Sequence, residues 1–471
     1  MLKASLKYCR LTSVSVVLAL AAATAPRAET LADALVGAYV NSGLLDQNRA
    51  LLRAADEDVA RAASALKPIL QWSADISKNF GRTRTGGLPL TNRADALSGS
   101  ISLIGSLLLY DFGATRYRVE AAKETVLATR STLLDIEQQV LLRAVNAYML
   151  VLQSLEFVDL RENNVRLLTQ ELRAARDRFE VGEVTRTDVA LAEAQLAEAR
   201  SGLAGAEGDL QRAIEEYRNA VGRTPTNLAP APPLPTLTSD IEAAKALAVR
   251  NHPSLDAAQH QVAAAELLTN ASEADMKPQF SGQARYGLTE TADSNSYNRV
   301  GSVGVSVGQT IYQGGALSSA VRRNMAQRDA QRANLLVTTK NVVQDVGNAY
   351  ASLQSARAVI QSSERQIRAA EVAFRGVREE ATLGARTTLD VLDAEQALLD
   401  ARSLAVQARA TLYVAAYTVL SSTGQLTARD LRLPVQIYDP AAYYNMVKDS
   451  PPVLSKQGKK LDRVLRALQK E

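Results

Sequence analysis

The two halves of this 471-residue chain are copies of one another, held at constant offsets over long stretches. Leu109-Tyr110-Asp111-Phe112-Gly113-Ala114 is answered 202 residues later by Ile311-Tyr312-Gln313-Gly314-Gly315-Ala316. The same offset carries Asn146-Ala147-Tyr148 onto Asn348-Ala349-Tyr350, Gly182 onto Gly384, Asp188-Val189 onto Asp390-Val391, and Gly222 onto Gly424. Upstream the offset becomes 210, with Leu45-Asp46 matching Leu255-Asp256 and Lys67-Pro68 matching Lys277-Pro278. The change of eight falls between Pro68 and Tyr110, so the first half carries a longer loop there. A tandem duplication constrains the fold strongly, because whatever one half builds the other builds too. The Pro-rich stretch from Pro225 to Pro235 marks the joint. We therefore divide the chain into a first repeat over 29–223, a linker over 224–240, a second repeat over 241–430 and a tail over 431–471. The tail is left open between a mobile segment and, from Lys456, a short basic amphipathic helix.

Each repeat reads as a helix, two strands and two helices. Ala114 to Val181 runs for 68 residues without Gly or Pro. At ~1.5 Å per residue such a helix reaches about 100 Å. Leu134, Leu141, Tyr148 and Leu155 recur at seven within it, a coiled-coil-like seam. Both long helices end at a glycine, in Val181-Gly182-Glu183-Val184-Thr185-Arg186-Thr187-Asp188 and in Leu383-Gly384-Ala385-Arg386-Thr387-Thr388-Leu389-Asp390. Gly suits the left-handed C-terminal position, and Thr or Asp can cap the returning helix, so both are read as hairpin tips.

Over about 68–112 and 278–313 the period changes from helical to two. Leu70, Trp72, Ala74, Ile76 and Phe80 alternate with polar residues, as do Phe280, Gly282, Ala284, Tyr286 and Leu288, and Val303, Val305, Val307 and Ile311. Ten-residue segments, apolar on one face and small or polar on the other, fit a transmembrane barrel with a wet lumen. A soluble hairpin packed on one side has the same alternation. Four strands are too few to close a barrel, so the membrane reading requires several chains.

Charge separates these readings. Lys+Arg number 54 against 50 Asp+Glu, but Lys3, Lys7, Arg10 and Arg27 all lie in the first 28 residues, which hold no acid. Without them the chain is neutral, which disfavours a nucleic-acid binder. Lys3, Lys7 and Arg10, the apolar run from Leu11 to Ala23, and a small-residue site at Ala25 or Ala28 compose a signal peptide over 1–28. It also removes the lone cysteine, Cys9, and with it disulfides and thiolate chemistry. No later stretch is expected to reach the ~20 apolar residues of a transmembrane helix.

The duplication, the two strand exits, Val-Gly-Glu-Val-Thr-Arg-Thr-Asp-Val and Leu-Gly-Ala-Arg-Thr-Thr-Leu-Asp-Val-Leu-Asp-Ala-Glu together resemble the TolC-like family of outer-membrane efflux and secretion channels, over roughly Thr30 to Asp430. The resemblance implies a mainly α protomer with a small β part, its long coiled-coil-like helices forming a periplasmic α-barrel. Three protomers of four strands each would complete a 12-stranded transmembrane barrel. It implies a passive, non-enzymatic, cofactor-free exit duct in the outer membrane with a long periplasmic extension. The duct would be gated at its helical tip and would serve drug efflux or type I protein secretion. Its partners would be a periplasmic adaptor, an inner-membrane transporter and outer-membrane lipid, with no nucleic acid.

The same resemblance assigns the tip residues. Asp390 and Asp393, three apart on one helix face, would face the pore, and three copies would form an acidic ring that attracts cations. The plain alternative is that Asp390 serves the helix cap and Asp393 is a solvated first-turn acid. Arg386, Asp188 and Thr187 would form a latch between neighbouring hairpins, and Gly182 and Gly384 would mark the region where the adaptor docks. One departure is Ala381, where some members carry tyrosine three residues before the tip glycine.

Other signals read as structural. His252, Asp256 and His260 fall at i, i+4 and i+8, a spacing that can hold a metal. Asn251-His252-Pro253 instead reads as a helix start with Asn251 as cap, and the counterpart of His252 is Ser42, so the duplication does not repeat the site. Trp72, Phe80, Tyr110, Phe112, Tyr286 and Tyr312 are candidates for aromatic girdles or for plain barrel packing. The competing reading from another class is a soluble periplasmic coiled-coil adaptor or scaffold, which would not need four repeated alternating strands.

Overall fold

The computed structural model describes residues 28–84, 91–292, 297–452 and 454–468. The expected signal peptide therefore lies almost wholly outside the described residues. The element order is α1 (Leu31–Asn41), α2 (Gly43–Ser64), β1 (Ile69–Arg84), β2 (Thr91–Tyr110), α3 (Ala114–Glu180), α4 (Arg186–Val221), α5 (Ile241–Asn251), α6 (Pro253–Ala274), β3 (Gln279–Thr291), β4 (Tyr297–Gly308), α7 (Ala316–Thr382), α8 (Thr388–Ser422), α9 (Pro440–Val447) and α10 (Lys456–Leu468). The duplication holds element by element, and α3 and α7 have 67 residues each. The chain forms two compact units, one of residues up to Asp46, Leu134–His252 and Asn341–Ile437, the other of Gln47–Leu133, Pro253–Lys340 and the chain from Tyr438 on.

The single helix expected before each hairpin is instead a pair. Its break comes at Ser42 in the first repeat and at His252 in the second, both with extended backbone. Pro253 explains the second break, since a residue before proline is pushed out of the helical region. Asn251 therefore ends α5 and does not cap α6, while Pro253 takes the first-turn position. In the first repeat the Ser42 hydroxyl accepts from the Leu45 amide (3.3 Å) and does the capping.

The unit containing residues 134–252 has its core where the long helices meet the linker. Tyr148 and Tyr217 are fully buried. Tyr148 donates to the Ala229 carbonyl (2.6 Å), and its duplicate Tyr350 donates to the Thr238 carbonyl (2.7 Å). Tyr217 donates to Glu29 (2.6 Å), which also pairs with Arg223 (2.6 Å). The linker is thus pinned at both ends by equivalent tyrosines. Two equivalent joints follow. Gly222 (φ +85°) lies against Asn41, and Gly424 (φ +78°) against Asn251, so close that a Cβ would meet Asn41 Cβ at 2.6 Å or the Asn251 carbonyl at 2.9 Å. One stretch of α3 does reach the length and apolarity of a membrane span, contrary to expectation, and half of it is buried inside the protein.

The other unit holds one antiparallel sheet in the order β1-β2-β3-β4, the hairpins of the two repeats joining through β2 and β3. Its register sorts the side chains. Trp72 pairs with Leu103, which pairs with Tyr286. Leu70, Gly105, Ala284 and Val303 run across the sheet in the same way. The opposite face carries a serine ladder, with Ser73 to Ser102 (2.8 Å), Ser77 to Ser98 (3.1 Å) and Ser281 to Ser306 (2.8 Å). The apolar face is bare, with Trp72 70%, Ile76 83% and Val303 89% exposed. Along β3 it runs from Phe280 to Leu288, about 27 Å at ~3.4 Å per residue, close to the apolar band of an outer-membrane barrel. Toward the hairpin tips it closes in charge, with Lys78 on Asp95 (3.4 Å) and Arg299 over Tyr297 (5.2 Å).

All four strands meet helices at one rim. There Tyr110 packs on Phe112 (4.8 Å between centroids) and Phe280 (6.3 Å), with Lys277 over Phe112 (5.5 Å). Tyr312 is 86% exposed at the same rim, whereas Trp72 and Tyr286 lie within the band. Phe112 takes a positive φ of 54°, as does its counterpart Gly314 (57°), so the two strand exits share one backbone shape. Helices α9 and α10 pack back on this unit, burying Tyr443, Val447 and Leu461 around Ala60 of α2.

Candidate functional site

Both hairpin tips are built alike. The amide of Gly182 donates to the Phe179 carbonyl (3.0 Å) and that of Glu183 to Arg178 (2.9 Å), with Gly182 at φ +79°. Gly384 (φ +78°) repeats this with Ala381 (3.2 Å), as does Ala385 with Glu380 (2.9 Å). This paired bonding ends a helix around a left-handed residue, which glycine adopts without a Cβ clash. Four residues later each returning helix starts with a capping box. The Asp188 amide donates to the Thr185 hydroxyl (3.3 Å), while the Thr185 amide (2.8 Å) and hydroxyl (2.7 Å) donate back to Asp188. Thr387 and Asp390 form the same box at 2.9, 2.8 and 3.2 Å.

The candidate acids therefore divide. Asp390 is the third residue of α8, and one of its oxygens, Oδ2, takes both bonds from Thr387. Those bonds hold its carboxyl below the ordinary range, the Thr387 backbone N–H contributing most, so it stays ionised at neutral pH. Asp393, one helical turn on, is exposed. Asp188 is likewise held down, chiefly by the Thr185 hydroxyl. Within one chain Arg386 pairs with Glu380 (2.9 Å), and among the described residues no bond joins it to Asp188 or to the exposed Thr187. Ala381 is buried in an apolar cluster with Phe374, Val391 and Leu398.

A buried polar pair behind the tip escaped the sequence reading. Glu395 of α8 is 5% exposed and Asn164 of α3 is 8% exposed, and Asn164 Nδ2 donates to Glu395 Oε1 (2.6 Å). Glu395 Oε2 is buried with no partner among the described residues. Burial pushes the Glu395 carboxyl up to about 7, and nearby Glu171 adds to the effect. Glu171 itself pairs with Arg378 (3.2 Å). The signal was available: Val391, Leu392, Glu395, Leu398 and Leu399 fall on one helical stripe, an acid at a core position.

The three residues with metal-ligand spacing do not share a helix, since His252 is the C-terminal cap of α5 while Asp256 and His260 lie on α6. His260 Nδ1 meets Glu124 (2.7 Å), and Asp256 accepts from Ser131.

The sequence model of the outer membrane efflux protein family matches residues 35–223 and again residues 246–425, one match for each repeat. This chain belongs to the outer membrane efflux protein family. Among curated relatives, outer membrane efflux protein BepC of Brucella suis biovar 1 is 37% identical over 423 residues, covering 89% of this chain and 91% of that protein. Outer membrane protein TolC of Escherichia coli K12 is 25% identical over 422 residues, covering 86% and 84%. In fold, the crystal structure of outer membrane protein VceC from Vibrio cholerae matches with a TM-score of 0.72 at 20% identity, covering 84% of this chain and 96% of that one. Membership places this efflux-family protein in the outer membrane, sets aside the soluble scaffold reading, and groups it with channels and not with enzymes.

Proposed function

We propose that the protein is the exit duct of an export machine, closed into a channel by three copies of the chain. The observation that carries this reading is the sheet, apolar and bare on one face, lined with serine on the other, and open along both β1 and β4. Unpaired strand edges cannot stand in hydrocarbon, so β4 of one copy pairs with β1 of the next until the ring closes. Twelve strands give a lumen wide enough to stay wet, which suits the serine face.

The duct does no chemistry and needs no cofactor. Energy comes from an inner-membrane transporter that a periplasmic adaptor joins to the hairpin tips around Gly182 and Gly384. The family's efflux role and the similarity to outer membrane efflux protein BepC support drug efflux, and type I protein secretion uses the same conduit. At the tip, Asp390 and Asp393 of three copies ring the narrow end, while Arg386 with Asp188 and Thr187 hold neighbouring hairpins closed. Purified protein in planar bilayers should give long-lived single-channel steps and run as a heat-sensitive oligomer. A protein that stays monomeric and soluble without detergent would sink the proposal.

A further inference from the structure

Helix α10 presents one charged face whose cations form no ion pair among the described residues. Ser455 caps α10 by accepting from the Gly458 amide (2.9 Å), and Leu461 and Leu465 turn inward onto Ala60 and Val447. Lys456, Lys459, Lys460, Arg463 and Arg466 fall on the opposite side at helical spacing, and all five are exposed. Among the described residues none of them pairs with an acid. Two residues before the helix, Leu454 is 87% exposed, an apolar side chain left in the open at the end of α10 where Lys456 stands.

The turn that precedes α10 is held near the sheet by Lys67, which donates to the backbone carbonyls of Asp449 and Ser450 (3.2 Å to the latter). Lys67 stands two residues before β1, at the helix-side rim. Its duplicate Lys277 sits at the same rim over the aromatic cluster of Tyr110, Phe112 and Phe280. Aromatic rings and lysines at the end of an apolar band mark the headgroup level of a bilayer. The turn leading into α10 is thus tied to the chain at that level.

We propose that the basic face of α10, with Leu454 beside it, docks on anionic phospholipid headgroups of the leaflet at the helix-side rim. This rests on reading the sheet as membrane-spanning. Cations near a lipid surface bind anionic headgroups within about one Debye length, and an exposed leucine adds insertion into the acyl boundary. The contact would fix the depth and tilt of the sheet in the bilayer from outside the barrel.

The chain has a single tryptophan, Trp72, on the apolar face of β1, which gives the test an internal control. Full-length protein is reconstituted into vesicles containing brominated phosphatidylglycerol or brominated phosphatidylcholine. Quenching of Trp72 in both lipids reports insertion of the sheet. In a Trp72→Phe, Leu454→Trp variant, the introduced indole should be quenched about two-fold or more strongly by the phosphatidylglycerol. That preference should collapse at high salt, or when the five cations are changed to Gln. If Trp72 is quenched but the introduced indole is not, α10 faces water or a second copy and the proposal falls; equal quenching in both lipids would mean that headgroup charge plays no part, which overturns it too. If Trp72 itself escapes quenching, the membrane reading beneath it fails and takes the proposal with it.

Discussion

Asn164 of α3 and Glu395 of α8 form a 2.6 Å hydrogen bond that joins the long helices of the two repeats inside an otherwise apolar seam. The second carboxylate oxygen has no partner among the described residues, so ionising Glu395 leaves a charge in the seam. The folded protein therefore keeps the proton to about pH 7, while the unfolded chain releases it near the ordinary value of 4.5. Between those values the folded state binds more protons, and stability falls as pH rises, levelling off above about 7.

The first prediction follows. Glu395→Gln keeps a hydrogen-bond acceptor for Asn164 and removes the charge, so it should stabilise the helical region at pH 8 by about 2–3 kcal/mol. At pH 4.5 the gain should vanish. Thermal melts followed by helical circular dichroism at the two pH values check this, and an equal shift at both would refute it.

The tip and joint glycines should differ in cost although they share one backbone conformation. At Gly384 (φ +78°), among the described residues beyond its chain neighbours, no atom lies within 4 Å of where a Cβ would sit, so Gly384→Ala carries only the left-handed penalty of roughly 1–2 kcal/mol. At Gly424, also φ +78°, the Cβ would strike the Asn251 carbonyl at 2.9 Å, and backbone must move. Gly424→Ala should cost roughly 3 kcal/mol or more, read as a lower yield of the heat-sensitive oligomer.

Arg386→Ala should raise single-channel conductance or open probability if the tip latch holds the duct shut. Because Arg386 is positioned within its own chain by Glu380, Glu380→Ala should move conductance in the same direction by a smaller amount. Unchanged conductance in both variants would remove the latch.

Block by multivalent cations should disappear in Asp390→Asn with Asp393→Asn. Asparagine at 390 leaves an acceptor for Thr387, so loss of block reports loss of charge and not of the capping box. Persistent block in this variant would take the acidic ring out of the mechanism.

Much of this was legible in the residues, for reasons that differ by element. The duplication and the glycine tips were readable because Gly182 and Gly384 each answer a local demand for positive φ. The strands were readable because a face exposed to lipid must be apolar at every second position. What escaped were relations between segments far apart in the chain. The split at Ser42 leaves no proline to announce it, unlike His252-Pro253. The bond from Asn164 to Glu395 spans 231 residues, and nothing local to Asn164 signals it.

The open edges of the sheet have a consequence for inheritance. Because β1 belongs to the first repeat and β4 to the second, a ring closed edge to edge needs a sound β1 from one copy and a sound β4 from the next at every seam. A lesion confined to either strand then spoils each ring that a defective copy enters, including rings whose other members are intact. Edge-strand alleles should therefore behave as dominant when co-expressed with the unmutated gene, whereas lesions that block folding before assembly should be recessive.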